Sequence, residues 1–144
     1  MRKLVLFAAF GLAACGGSEP DARVAIGDGW ARATIDGQPM GAAYLTITNT
    51  GGVPVTLTGA SSPVAAGVGL HGTNYDDGIA RMRPITQIVL EPGERHEFAP
   101  GSDHLMLEGL SAPLKSGRTF PVTLDFETIP DQTVEIAVID AGSR

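Results

Sequence analysis

The sequence predicts an all-β protein, a single-domain β-sandwich of about seven to nine short strands. In several segments, apolar residues recur at every second position, which is the spacing of a strand with one buried face. The 19 glycines and 10 prolines are dispersed between these segments, where they favour turns. Beyond the N-terminus, no window of helical length carries an apolar stripe at the helical period.

The first strands of the predicted sandwich follow one another closely. In "AAYLTITNTGG", Leu45 and Ile47 alternate with threonines, and the pattern breaks at residues 49–52, whose composition favours a turn. In "VPVTLTG", Val53, Val55 and Leu57 alternate with more polar positions that include Thr56 and Thr58. We expect these five apolar side chains to face the core.

The second half of the chain repeats this pattern. The segment "ITQIVLEPGERHEF" predicts two short strands on either side of a turn at residues 91–94. The segments "TFPVTLDFE" and "TVEIAVID" predict the last two strands. Each places three apolar side chains inward, namely Val122, Leu124 and Phe126 in the first and Val134, Ile136 and Val138 in the second.

The N-terminus predicts a bacterial lipoprotein signal. Arg2 and Lys3 precede an apolar run at residues 4–14 that is too short to span a bilayer as a stable helix. The run closes on Leu-Ala-Ala-Cys, which resembles the lipobox, where a peptidase cleaves before a cysteine that carries lipid. We therefore predict a cleaved signal at residues 1–14, lipidation of Cys15, a flexible tether at residues 15–23 and one folded domain at residues 24–144.

Cys15 is the only cysteine of the chain, so an internal disulfide is excluded. An ordinary signal peptide followed by a chance cysteine is the alternative interpretation. Lipidation would remove Cys15 from any catalytic or metal-binding role. Gly16 stands where an Asp would resemble the inner-membrane retention signal of enteric bacteria. This favours a periplasmic protein held at the outer membrane, in contact with the membrane only through its lipid.

The charge of the chain limits its partners. The formal net charge is −6, and removal of the signal with its two basic residues, Arg2 and Lys3, brings it to −8. A chain this acidic is a poor ligand for nucleic acid or for an anionic lipid surface. We therefore predict no nucleic-acid partner.

Two pairs of histidine and methionine are the candidate metal-binding residues of the sequence. In "SDHLMLE", His104 and Met106 share one face of a predicted strand, while Leu105 and Leu107 take the other. His71 and Met82 flank a loop rich in Asn, Asp and Gly that favours a hairpin-like connection, which would bring the two strand ends together. A histidine at a sheet edge beside a gap-filling methionine is the simpler interpretation of either pair.

The spacing of the four residues is more informative than either pair alone. The order is His71, ten residues, Met82, twenty-one residues, His104, one residue and Met106. This resembles the signature His-x10-Met-x21-His-x-Met of the periplasmic copper chaperone family called PCuAC. The segments "GWARAT", "GAAYLTITN", "GIARMRP" and "HLMLEGLSAPLKSGRTFPVTLDFE" also look like family segments, and together they run from Trp30 to Glu127.

The resemblance implies a fold, a cofactor and a role. The fold would be a cupredoxin-like, immunoglobulin-like β-sandwich, and one Cu(I) per chain would be bound by His71, Met82, His104 and Met106. The role would be that of a monomeric periplasmic chaperone that supplies the copper A centre of cytochrome c oxidase. Its acceptor would be subunit II of the oxidase or a thioredoxin-like copper protein.

The donor chemistry agrees with the copper interpretation independently. Cu(I) is a soft ion that favours thioether and imidazole ligands. All four donors are neutral and none is a thiolate, so transfer to a thiolate-bearing acceptor can run downhill, as a carrier requires. Blue-copper sites use a Cys thiolate, and zinc prefers His, Cys and carboxylate to thioether, so both are disfavoured.

The sequence departs from the family pattern at two places. Many members carry a second methionine close after the first histidine, where this chain has Gly72-Thr73-Asn74, and some carry a His- and Met-rich C-terminal tail that is absent here. Met40 lies in a segment predicted to be a loop, where it could approach the site or be a partly buried loop residue. His96, between charged neighbours, is predicted to be a surface histidine, and Arg81 and Arg83 to lie at the rim of the site.

Two other classes of function compete with copper delivery. The protein could scavenge or buffer copper in the periplasm, or it could be a metal-free, lipid-anchored adhesion or scaffold domain. An enzyme is disfavoured, because the sequence contains no Gly-x-Ser-x-Gly motif, no cysteine nucleophile and no Walker-type loop.

Overall fold

A computed structural model describes residues 21–143 of the chain. These residues contain twelve β-strands, so the all-β prediction is confirmed. They contain no helix long and apolar enough to cross a membrane. The predicted signal at residues 1–14 and the predicted lipidation site Cys15 lie outside the described residues.

The strands vary in length from three residues to twelve. The first six are β1 (Val24–Ile26), β2 (Gly29–Arg32), β3 (Met40–Tyr44), β4 (Thr46–Asn49), β5 (Val55–Ser61) and β6 (Ala65–Asp76). The last six are β7 (Ile79–Pro84), β8 (Ile88–Leu90), β9 (Arg95–Glu97), β10 (His104–Leu110), β11 (Thr119–Phe126) and β12 (Gln132–Ile139).

The larger of two sheets closes into a barrel. Its strands are hydrogen-bonded in the order β7-β6-β10-β3-β2-β12-β11-β5-β8, and a further pairing of β5 with β6 at Ala60 and Val68 joins its two sides. The closed part therefore has seven strands, and β7 and β8 extend from it. All pairs are antiparallel except β12 with β2. Strands β1, β4 and β9 form a separate three-stranded sheet.

The strand count exceeds the seven to nine predicted because five strands are very short. β1, β8 and β9 have three residues, and β2 and β4 have four. Such a strand shows at most two periods of alternation, and pairing with a distant partner defines it rather than its own sequence. The two strands predicted around residues 91–94 both exist, but β8 joins the larger sheet and β9 the smaller one.

Most of the side chains that the alternation placed inward lie in the core. Leu45, Ile47, Val55 and Leu57 are buried, as are all three predicted residues of β11, whereas Val53 precedes β5 and is only partly buried. In β12, Ile136 and Val138 are buried and Val134 is partly buried. Leu105 and Leu107 of β10 are fully buried. The sequence pattern therefore predicted the inner face of the barrel correctly.

Asn49 shows how the predicted turn at residues 49–52 is held. Its side chain is fully buried, and its amide nitrogen donates to the carbonyl oxygens of Val53 and Leu90 at 2.8 and 2.9 Å. Its amide oxygen accepts from the Gly51 N–H at 2.9 Å. A buried amide with its donors and acceptor satisfied fixes the end of β4 against β8.

Candidate metal centre

The hairpin of β6 and β7 brings Met82 back toward His71, as the sequence predicted. The turn between them has Asp77 at φ 49° and Gly78 at φ 79°. Two successive positive φ angles are typical of a type I′ turn, whose twist matches that of the flanking strands, and Asp-Gly is a preferred pair for it. The hairpin register then sets Met82 opposite Thr73, two residues beyond His71.

The register between β10 and β6 aligns the two histidines. His104 pairs directly with His71, and Met106 pairs with Gly69. Side chains of directly paired residues leave a sheet on the same side. Together with the pairing of Met82 with Thr73, this places His71, Met82, His104 and Met106 on one face, with the histidine pair between the two methionines.

That face lies outside the barrel and is nevertheless well covered at β10. His104 is 5% exposed and Met106 is 8% exposed, while the intervening Leu105 points into the core. The ring centroids of His71 and His104 are 5.9 Å apart. Two imidazoles at this separation can both reach a single ion placed beside them.

His104 is held in the tautomer that a metal ligand needs. Its Nδ1 lies 3.2 Å from the carbonyl oxygen of Ser102. A carbonyl oxygen can only accept, so Nδ1 carries the proton and donates. In the neutral ring the other nitrogen, Nε2, then bears a lone pair, and this atom is buried with no hydrogen-bond partner. A buried polar atom without a partner is costly, and binding a metal ion would satisfy it.

Gly69 makes room for the His71 ring. A Cβ atom at Gly69 would lie 2.8 Å from Nε2 and 3.0 Å from Cδ2 of His71, which is closer than such atoms can approach. The imidazole therefore lies over the backbone of Gly69, on the residue paired with Met106. Gly69 was missed by sequence reasoning. Its signal is a glycine two residues from a candidate ligand in a strand, and so on the same face.

The two methionines present their thioethers in different settings. A cavity of about 250 Å³ is lined by His104, Met82 and Met106, with Thr73, Tyr75 and Tyr44 around them. Met106 is buried, whereas Met82 is 62% exposed. The arrangement leaves one donor accessible from solvent and three donors on the better-covered strands.

Tyr44 supplies a neutral wall to this cavity. Burial raises the pKa of the Tyr44 hydroxyl, and the nearby charge of Arg32 opposes that rise to a lesser extent. The phenol therefore keeps its proton near neutral pH. Its ring packs against Trp30 with centroids 4.5 Å apart, and the Arg32 guanidinium lies 5.9 Å from the centre of the Trp30 ring.

Two expectations are corrected by the structure. Met40 is not in a loop, because it begins β3 and pairs with Glu108 of β10. His96 is not a fully exposed histidine: it lies in β9, its ring packs edge-on against Phe98 at 4.8 Å, and its side chain is 23% exposed. Its Nε2 lies 3.1 Å from Oδ2 of Asp103, without the alignment of a hydrogen bond. Alternation in the sequence alone could not reveal that Met40 pairs with Glu108 or that His96 lies beside Phe98 and Asp103.

Arg81 and Arg83, predicted to be rim or salt-bridging residues, flank Met82 on β7. Arg81 and Arg83 are exposed on β7, and Nε of Arg81 lies 3.9 Å from a carboxylate oxygen of Asp76. Within residues 21–143, no group of three or more His, Cys, Asp or Glu side chains is placed to hold a metal ion. The donors gathered on this face are thus two imidazoles and the methionine thioethers.

Comparison with known proteins assigns the chain to a family. The family model described as "Putative lipoprotein LpqE-like" matches residues 24–138, which is most of the chain. The chain belongs to the LpqE-like family. The description of the family agrees with the lipoprotein signal predicted at the N-terminus.

Two curated relatives of this LpqE-like chain are similar over most of its length. "Putative lipoprotein Lxx21020" of Leifsonia xyli subsp. xyli is 34% identical over 118 residues, which cover 81% of this chain and 70% of the relative. "Uncharacterized protein RP573" of Rickettsia prowazekii is 32% identical over 113 residues, which cover 76% of this chain. The match spans 62% of that second protein, so it has a further part with no counterpart in the match.

Solved structures of copper-binding domains share the fold of the LpqE-like chain. The copper-bound PCuAC domain from PmoF2 has a TM-score of 0.69 and 26% identity, over 81% of this chain and 92% of that domain. The solution structure of CuI-DR1885 from Deinococcus radiodurans has a TM-score of 0.62 and 27% identity, over 88% of this chain and 85% of that protein. The fold implied by the resemblance to PCuAC is confirmed.

Proposed function

We propose that this LpqE-like chain binds one Cu(I) ion through His71, Met82, His104 and Met106 and serves as a periplasmic copper chaperone. The observation that carries the proposal is the buried, unpartnered Nε2 of His104 on a face that also gathers His71 and two thioethers. Copper-bound domains of the same fold support the choice of metal.

The donor set accounts for the oxidation state. Thioethers are soft ligands that favour Cu(I) over Cu(II), and imidazole suits both. Copper binding uses the lone pair of a neutral imidazole at each histidine, and the thioethers donate without carrying charge. The exposed Met82 lies on the side from which an acceptor protein could reach the ion.

An anaerobic Cu(I) titration against a competing chelator tests the proposal. The chain should carry Cys15→Ser, because an unmodified thiol would bind Cu(I) itself. One equivalent bound with a Kd below about 1 μM is the expected result, equivalent to about −8 kcal/mol or better. His71→Ala and His104→Ala should each lose this binding, and His96→Ala should keep it. Binding no tighter than micromolar by the parent would refute the copper role and leave a metal-free adhesion or scaffold domain.

The contact between Gly69 and His71 gives a second prediction. Gly69→Ala is expected to push the His71 ring aside and to weaken Cu(I) binding at least about tenfold, or 1.4 kcal/mol, because a Cβ would lie 2.8 Å from Nε2. Gly67→Ala is the matched control: it lies on the same face of the same strand, and a Cβ there meets nothing within 4 Å. Equal affinities for the two variants would show that the ring position in the structure is not required.

The destination of the copper is part of the proposal. We propose delivery toward the copper A centre of cytochrome c oxidase, with subunit II or a thioredoxin-like copper protein as acceptor and the chain acting as a monomer. Scavenging or buffering of periplasmic copper is the second candidate. A deletion strain distinguishes them: loss of oxidase activity at limiting copper supports delivery, whereas sensitivity that appears only at high copper supports buffering. Complementation with Met106→Leu should fail in either case if copper binding is the basis.

We also propose that residues 1–14 are removed, that Cys15 carries lipid and that residues 15–23 tether the domain in the periplasm, at the outer membrane. The lipoprotein description of the family supports this arrangement. A flexible tether of this length reaches roughly 15–20 Å from the membrane surface, by the square-root rule for flexible chains. Mass spectrometry of the membrane fraction is the measurement, and an unmodified soluble N-terminus would contradict it.

A further inference from the structure

Met40 lies beside the candidate centre, although it is not part of the four-residue spacing. It pairs with Glu108, and Ala42 pairs with Met106, so Met40 is the diagonal neighbour of Met106. Diagonal neighbours on one face are about 7–8 Å apart at Cα, within reach of long side chains. A Cβ at the intervening Gly41 would contact the core leucines, so Gly41 faces inward and Met40 outward.

Met40 also shares a cleft with both methionines of the candidate centre. A cleft of about 550 Å³ is lined by Met40, Met82 and Met106, together with Tyr44 and other residues. The cavity of about 250 Å³ that contains His104 is lined by Met82, Met106 and Tyr44 as well. The cleft and the cavity therefore share Met82 and Met106. Both are also lined by Ala42, a small residue that leaves space between Met40 and Met106.

The exposed fractions of the donors fall in order from this cleft inward. Met82 and Met40 are 62% and 43% exposed, whereas Met106 and His104 are 8% and 5% exposed. Both exposed methionines line the same cleft. Three thioethers around one open cleft form a soft, uncharged set that suits Cu(I) and disfavours Cu(II), which prefers nitrogen and oxygen ligands.

We propose that Met40 is a fifth copper donor: with Met82 and Met106 it forms a three-thioether station through which Cu(I) enters and leaves the centre. The inference rests on the proposed copper function. During exit, the Sδ of Met40 donates a lone pair to copper as the bond to one imidazole nitrogen breaks, while Met82 and Met106 stay bound. Copper remains Cu(I), no electron is transferred and the released imidazole stays neutral.

The test is the rate at which Cu(I) leaves the loaded chain. The Cys15→Ser chain with one Cu(I) is mixed anaerobically with excess chromophoric chelator in a stopped-flow instrument. Met40→Leu keeps the volume and apolar character of the side chain and should slow transfer at least about fivefold, because the exchange donor is lost. Its equilibrium Kd should change by less than about threefold, since the four inner donors remain.

A second variant separates a donor from a gate. If Met40 merely covered the cleft, Met40→Ala would open it and speed transfer, while Met40→Leu would behave like the parent. If Met40 is a donor, both variants are slow. A transfer rate for Met40→Leu equal to that of the parent would overturn the inference and leave the copper function standing. Failure of the parent to bind Cu(I) would overturn both.

Methyl NMR gives an independent readout at the sulfur. In the protein labelled with ¹³C at the methionine methyl groups, the Met40 signal is the one that is absent from the spectrum of the Met40→Leu variant. On addition of one equivalent of Cu(I) it should move by less than the signals of Met82 and Met106, because the ion visits Met40 only during exchange. A Met40 signal that stays in place while the other two move would also overturn the inference, because it would place copper only at the inner donors.

Discussion

Met106→Leu is expected to keep the fold and to weaken Cu(I) binding on the order of 100-fold, or about 2.7 kcal/mol. Leucine and methionine have similar volumes, and such exchanges in a packed site usually cost less than about 1.5 kcal/mol of stability. Met106 is 8% exposed, so its volume matters to packing as well as its sulfur. The exchange removes the soft donor and preserves the packing, which separates the two contributions.

The measurement is a thermal melt paired with the anaerobic Cu(I) titration. Leu107→Met is the matched control, because it puts a thioether one residue away on the same strand but on the core face. It should neither strengthen nor weaken binding. Met82→Leu should weaken binding as well, with still less effect on the melt, since that side chain is mostly exposed. A Met106→Leu chain that binds Cu(I) like the parent would show that Met106 is not a ligand.

The parts of the fold that the sequence predicts are those in which local pattern and burial agree. β11 and β12 each have eight residues, enough for several periods of alternation, and their inward faces were correctly predicted. β1 and β9 have three residues each and exist because β4 runs between them. The closure at Ala60 and Val68 likewise depends on sheet curvature, which no single segment encodes.

In the candidate site too, some features follow from local sequence and others depend on strand pairing. Its spacing and the alternation of β10 are local, so the sequence could place His104 and Met106 together on one face and predict the hairpin that returns Met82. The register that aligns His71 with His104 is set by the partner strand, and so is the pairing that brings Met40 beside Met106. The position of the His71 ring over Gly69 cannot be predicted from the sequence. It depends on the distance between the ring and the Gly69 backbone, which is too short for a methyl group.

Leu105→Ala is expected to have the opposite effect from Met106→Leu, although the two residues are adjacent. Leu105 is fully buried and pairs with Leu70 on one side and Ala43 on the other. Truncating a core leucine leaves a cavity and lowers the free energy of unfolding by roughly 2–5 kcal/mol. Domains of this size are stable by only about 5–15 kcal/mol, so a fall in Tm on the order of 10 °C is expected.

Copper binding by the folded Leu105→Ala molecules should be unchanged, because Leu105 points away from the donors. The apparent Kd rises only by the inverse of the folded fraction, which stays above about 90% while 1.4 kcal/mol of stability remains. Val89→Ala, at an exposed position of β8, is the control and should leave both the melt and the titration near those of the parent. If Leu105→Ala lost affinity beyond its unfolded fraction, core packing under β10 would be holding His104 and Met106 in place, and the two faces of the strand would not be independent.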